Sequence, residues 1–186
     1  VAALLRDRGD LLVVAGLGAS AWDCAAAGDH ALTFSLWGGM GLAAMTGLGL
    51  ALARPDRRVL VITGDGEMLM GLGSLAVIGA ESPINLSIVV LDNERYGETG
   101  MQPTHTAYGV DLAEVARGCG LALAHTVTGM QDLLRIRHVA HHGPGPLFSV
   151  VKVHAETLPL VVPPRDGVLL GRRFRDTLLE QQHGQP

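Results

Sequence analysis

Four short apolar runs constrain this chain most: Leu11–Ala15, Val59–Thr63, Leu86–Leu91 and Leu147–Val153. Each is strand-length and carries few polar interruptions. A strand reads that way when both of its faces are covered, and one-sided strands alternate instead. Segments of helical length lie between the runs: Ser20–Ala27, Met40–Ala53, Met68–Ala80, Asp111–Arg117 and Met130–His142. Ser20 would cap the first of these. His30–Leu36 and Leu121–Val127 read as further extended pieces, and Asp92–Ala107 as a long polar loop. Strands buried on both faces and alternating with helices build a three-layer α/β/α domain around a mainly parallel sheet. Residues 1–157 are expected to form that domain. Residues 158–186, with a Pro-rich stretch and the amphipathic segment Val168–Leu179, are expected to pack on it or on a partner.

Composition excludes several classes. Hydrophobic residues make up 48% of the 186 and charged residues 17%, which argues against disorder. The net charge is −4, and the nearest approach to a basic run, Arg172-Arg173-Phe174-Arg175, is short and reads as a solvated helix face, so no nucleic-acid partner is expected. The longest apolar stretch, Gly38–Ala53, falls short of the ~20 residues that a membrane helix needs. Two distant cysteines, Cys24 and Cys119, form neither a CxxC metal pair nor a disulfide framework. A reducing cytoplasm is the expected location. No secretory signal is visible in Val1–Asp10. The Val start is expected of a chain from which a short N-terminal stretch has been trimmed.

In parallel sheets ligands sit at the carboxyl ends of the strands, and the informative residues of this chain fall there. Val59–Thr63 runs into Gly64-Asp65-Gly66, whose glycines allow a sharp turn and close ligand approach. Leu86–Leu91 runs into Asp92-Asn93. If the two strands are neighbours, Asp65 and Asn93 face one crevice. One carboxylate and one amide oxygen suit Mg²⁺, which takes few protein ligands and completes its shell with phosphate and water. The start of a helix after Gly66 would favour a diphosphate there. Leu11–Ala15 leads into Gly16-Leu17-Gly18-Ala19-Ser20-Ala21, which fits G-x-G-x-x-A. A dinucleotide site would also need an acid after the next strand, where Trp37 stands instead.

Gly64-Asp65-Gly66 followed by Asn93 resembles the motif of thiamine-diphosphate-dependent enzymes. The resemblance implies that Asp65, Asn93 and the carbonyl of Arg95 bind Mg²⁺, which bridges the diphosphate to the protein. Gly38-Gly39-Met40-Gly41 is similar to the segment that bends the cofactor. Met40 would wedge between its two rings and the Gly38 carbonyl would accept the pyrimidine amino group. The bend brings that nitrogen beside the thiazolium carbon whose proton it removes. Gly18 and Ser20 would contact the diphosphate, and Gly64, Gly66, Glu67, Tyr96 and Gly97 would line the cofactor. Many relatives carry a small polar residue at the position of Glu67. An acid pointing inward would repel phosphate, so Glu67 is expected to face away and simply suit a helix N-terminus.

Within the family, Gly64–Met70, Gly73–Ala76, Leu91–Gly100 and Thr104–Thr106 look like β subunits of sulfopyruvate decarboxylase and the C-terminal half of phosphonopyruvate decarboxylase. That implies a 2-oxo acid substrate, an aldehyde product and CO₂, with the cofactor accepting the electron pair. Thr99, Gln102, Thr104 and His105 are the candidate donors to the acid side group, with His105 also a candidate catalytic residue. The other histidines show no metal-site spacing. The family also needs a Glu that protonates the pyrimidine ring, carried on a separate pyrimidine-binding domain. One sheet accounts for this chain, so a partner subunit would supply that Glu in a hetero-oligomer such as α₂β₂. Half of an acetolactate-synthase-like carboligase or lyase, or a non-catalytic cofactor-binding subunit, are the alternatives.

Overall fold

The structure, a computed structural model, describes residues 1–36, 38–156 and 158–183. Trp37 and the expected boundary at Thr157 lie outside them. Six parallel strands form the main sheet: β1 (Leu12–Ala15), β2 (Thr33–Ser35), β3 (Val59–Gly64), β4 (Leu86–Asp92), β7 (Leu123–Val127) and β8 (Leu147–Lys152), in the order β2-β1-β3-β4-β8-β7. A two-stranded antiparallel hairpin, β5 (Arg95–Tyr96) and β6 (Gln102–Pro103), stands apart from it. The expected parallel sheet is therefore present.

Both faces of the sheet are covered. Alternate side chains point to opposite faces of a strand, and the core divides accordingly. Leu12, Val14, Val59 and Val61 pack with α3 (Ala43–Ala53), α5 (Ser74–Glu81), α6 (Leu112–Gly118) and α8 (Gly167–His183). Val13, Ala15, Leu60 and Ile62 pack with α1 (Ala2–Leu5), α2 (Ala19–Ala26) and α7 (Met130–His142). This is why the strands read as unbroken apolar runs. The C-terminal helix joins the first layer. Asp166 caps it by accepting from the N–H groups of Val168 and Leu169, and Leu170, Phe174 and Leu178 turn one face inward. Each such burial contributes about 1.5–3 kcal/mol. Phe174 packs on Phe34 of β2, and Arg173, expected on a solvated face, makes a two-pronged ion pair with Asp29.

Several local expectations change. The single helix expected over Met68–Ala80 is two helices, α4 (Asp65–Met70) and α5, broken by Gly71, Leu72 and Gly73. A Cβ on Gly71 would lie 2.4 Å from the carbonyl oxygen of Gly41. The break therefore makes room for the Gly38–Gly41 loop. Ser20 does not cap α2; Gly18 stands at the cap with φ +69°, and Ser20 is buried in the first turn. The loop over Asp92–Ala107 holds the β5–β6 hairpin and a 3-10 turn at His105–Tyr108. Helix α1 has no counterpart among the expected elements.

Asn85, at the entry to β4, fixes α3 in place. Its buried side-chain amide donates to the carbonyls of Ala51, Arg54 and Arg57 at 2.8–3.0 Å. Ala51 lies in the last turn of α3 and has no N–H four residues on, because position 55 is Pro; Arg54 caps the helix and also accepts from the N–H of Arg57, in the turn beyond. Replacing Asn85 by Ala removes these three bonds and is expected to cost about 2 kcal/mol in urea unfolding; a loss below about 0.5 kcal/mol would contradict this role.

Candidate functional site

The strand order turns at β1. The chain leaves β1 for β2 on one side, and β3 lies on the other, which opens a crevice at their carboxyl ends. Gly16 closes the ladder there, its N–H donating to the carbonyl of Ile62. In the next ladder Gly64 of β3 pairs with Leu91 of β4. Asp65 and Asn93 therefore leave the tips of neighbouring strands, as the shared-crevice condition requires.

Asp65 is only 2% exposed, and its orientation is held by hydroxyls. Oδ2 accepts from Thr104 Oγ1 at 2.5 Å and from Thr106 Oγ1 at 3.2 Å. The two hydroxyls are 2.9 Å apart, and Thr106 also reaches Asp92 Oδ1 at 2.8 Å. Asp92 in turn pairs with Lys152 at 2.8 Å. Burial pushes the Asp65 carboxyl above its ordinary range and the Asp92 charge adds to this, while the two threonine hydroxyls oppose it. Thr104 was a candidate for contacting substrate. It is fully buried and holds Asp65 instead. The spacing of Thr104 and Thr106 around His105 was the available signal for this brace.

The turn after β4 is built from its own side chains. Asn93 Oδ1 accepts from the N–H of Arg95 at 2.9 Å, and Asp92 Oδ1 from that of Glu94. Glu94 takes a positive φ of +62° to make the bend. The Tyr96 ring lies over Gly66, where a Cβ would come within 2.6 Å of it. Gly97 lies in the exposed part of the hairpin beyond Tyr96. Thr99 and Gln102 bond to each other there. His105 is exposed and bonds to none of the described side chains.

Glu67 is the main correction. It does not face away: it is buried between α4 and the end of β1. Its Oε2 accepts from the N–H of Leu17 and from Thr63 Oγ1, each at 2.8 Å. The side chain turns inward because Gly16, with no Cβ, leaves space that any other residue would fill. Burial raises the Glu67 carboxyl above its usual range; Thr63, then the amides of Leu17, Ala43 and Gly41, oppose this. The expected helix start beyond Gly66 also shifts. Helix α4 begins at Asp65 itself and is six residues long.

Two glycine loops complete the wall. Gly16–Gly18 leads into α2, which no side chain caps, so its leading N–H groups are available to an anion. In Gly38–Gly41, Met40 is half-buried and Gly41 adopts φ +83° against Met70 and Gly71. Among the described residues no group of three or more His, Cys, Asp or Glu could hold a metal. None of their helices is long and apolar enough to cross a membrane.

Residues 17–151 match the model of the thiamine pyrophosphate enzyme C-terminal TPP binding domain. The chain belongs to this family. It is 46% identical over 110 residues to sulfopyruvate decarboxylase subunit beta of Methanocaldococcus jannaschii, an alignment covering 59% of this chain and 58% of that one. It is 39% identical over 171 residues to phosphonopyruvate decarboxylase of Streptomyces viridochromogenes, covering 89% of this chain and 42% of the relative. The chain thus spans about half the length of these relatives. In fold it is similar to a thiamine diphosphate-dependent 4-hydroxybenzoylformate decarboxylase of Rhodococcus jostii. There the TM-score is 0.64 with 19% identity, over 84% of this chain and 32% of that one.

The buried Asp65 carboxyl gives this TPP-domain wall a pH signature. Its pKa is raised in the folded chain, so its contribution to stability is present at low pH and is lost as pH rises through that folded pKa. Without metal, the Asp65→Asn chain should gain in urea midpoint over the natural chain, and the gap should widen from about pH 4 to about pH 8. A gap independent of pH would contradict the burial argument.

Proposed function

We propose that this chain forms the ThDP- and Mg²⁺-binding wall of a 2-oxo acid decarboxylase that releases an aldehyde and CO₂. The observation that carries the reading is the pair of strand tips, with Asp65 held by Thr104 and Thr106 beside the Asn93 turn. The donor set suits a hard cation: a carboxylate, the Asn93 amide oxygen and the Arg95 carbonyl. The uncapped start of α2 suits a diphosphate, because its leading N–H groups have no side-chain partner; the carboxyl groups of Glu67 and Glu98 stand over Gly16 and Gly18 beside it.

Each residue then has a role its surroundings support. Thr104 and Thr106 occupy Oδ2 of Asp65, so the carboxylate is oriented before a metal arrives and little reorganisation is needed on binding. Met40 would support the bent cofactor, and the Gly38 carbonyl would accept its pyrimidine amino group. ThDP, when bound, supplies an acceptor for the electron pair left as CO₂ departs. The names of the relatives favour a sulfonated or phosphonated 2-oxo acid. His105 is exposed beside this wall and would serve as a donor to such an anionic side group.

The catalytic Glu would come from a pyrimidine-binding partner, in a hetero-oligomer such as α₂β₂. An apolar strip supports a covering partner. Leu42, Met45 and Leu52 are exposed along α3, and Met70 and Val77 are exposed nearby. Exposed apolar side chains on neighbouring helices of this kind are suited to interaction sites. Residues 158–186 would extend the domain, with α8 seated on β2.

The test combines this chain with a pyrimidine-domain subunit, ThDP, Mg²⁺ and 3-sulfo- or 3-phosphonopyruvate. Free aldehyde and CO₂ are expected. Asp65→Ala and Asn93→Ala should each weaken ThDP binding by about tenfold or more, the scale of one lost charge-assisted ligand. A product with a new carbon–carbon bond would overturn the decarboxylase assignment. Unchanged ThDP binding in both variants would remove this site from the account.

A further inference from the structure

We propose that Glu67 is a positioning residue that clamps the Gly16–Gly18 loop to the metal-bearing turn and thereby sets where the diphosphate is held. The cofactor half of this statement rests on the proposed ThDP site; the clamp itself does not. Sheet hydrogen bonding between β1 and β3 ends at Gly16. Beyond it, the Leu17 N–H turns to Glu67 Oε2. The same oxygen holds Thr63 Oγ1 at the end of β3. One carboxylate oxygen thus extends the β1–β3 contact past the ladder, one residue before the positive-φ Gly18 that starts α2.

Three features argue that this contact is built in and is not incidental. A Cβ on Gly16 would lie 1.9 Å from Oε2 and 2.7 Å from Cδ, so the loop is shaped to the carboxylate. The amides of Gly41, next to Met40, and of Ala43, at the start of α3, favour its charged form without a hydrogen bond to it. Oε1 is buried with no hydrogen-bond partner. Stability alone would not select a carboxylate for such a position, since an unsatisfied buried acceptor is costly. Local violations of this kind collect at functional sites. A small polar residue at position 67 could not span from α4 to Leu17. The reach of Glu is what the clamp uses.

The clamp is tested on the full chain without cofactor, by amide hydrogen exchange. Glu67→Ala should speed exchange of the Leu17 N–H by about tenfold or more, while Val13 and Val14 keep their protection. Glu67→Gln, whose amide oxygen can accept the same two bonds, should stay within about threefold of the natural chain. Gly16→Ala, which drives the carboxylate out, should release Leu17 as well and serves if Glu67→Ala does not fold. Calorimetric titration of ThDP with Mg²⁺ into the chain assembled with its partner is the second readout. Glu67→Ala should bind about tenfold more weakly, with Gln restoring most of the loss. Unchanged Leu17 exchange in both Glu67→Ala and Gly16→Ala would overturn the clamp. Equal loss of ThDP affinity in Ala and Gln would overturn positioning in favour of a charge effect. If the natural assembly binds no ThDP, the cofactor reading fails while the exchange result still decides the clamp.

Discussion

Helix α4 is six residues long, yet every wall of the crevice is registered against it. Asp65 at its start is held by Thr104 and Thr106. Gly66 receives the Tyr96 ring, Glu67 reaches Leu17 beside Gly16, and Gly71 at its end receives the carbonyl of Gly41. The last three of these contacts depend on a missing Cβ, at Gly66, Gly16 and Gly71. Interiors are packed closely enough that a displaced methyl group is felt. Three segments far apart in sequence, at 16–17, 41 and 96–106, are therefore keyed to one short element, and the glycines are the keyholes.

That arrangement explains why so small a helix persists. Six residues are far below the length at which a helix is stable on its own. Its stability comes from the frame: β3 feeds it from a sheet buried on both faces, and Met68 anchors it in the core. The rigid sheet fixes the strand tips, and α4 transfers that rigidity to the loops. Preorganisation of this kind lets polar groups act on a ligand without reorganising first. Its cost is visible in Asp65 and Glu67, two buried carboxyls whose burial raises their pKa.

Much of this was legible in the sequence, for physical reasons. Strands buried on both faces write themselves as apolar runs, so the parallel sheet and its order of alternation were readable. Strand-end glycines around Asp65 and the downstream Asn93 were readable because ligands in such sheets gather at those ends. The break in Met68–Ala80 was not, because Gly71 and Gly73 are tolerable inside a helix and only the approach of Gly41 forces the interruption. Thr104 was misread because its partner is distant: its spacing with Thr106 pairs two hydroxyls but does not say that they turn to Asp65. Glu67 was misread for the same reason. A carboxylate near a helix start has a local explanation, and the cavity left by Gly16 becomes visible only once β1 and β3 lie side by side.

The most direct test of the α4-centred account is a crystal structure of the chain, with its partner, bound to ThDP and Mg²⁺. The account predicts a metal within about 2.1 Å of oxygens from Asp65, Asn93 and Arg95, with Oδ2 of Asp65 still on Thr104 and Glu67 still on Leu17. A metal bound elsewhere, or a cofactor seated with α4 withdrawn from Gly16 and Gly41, would contradict it.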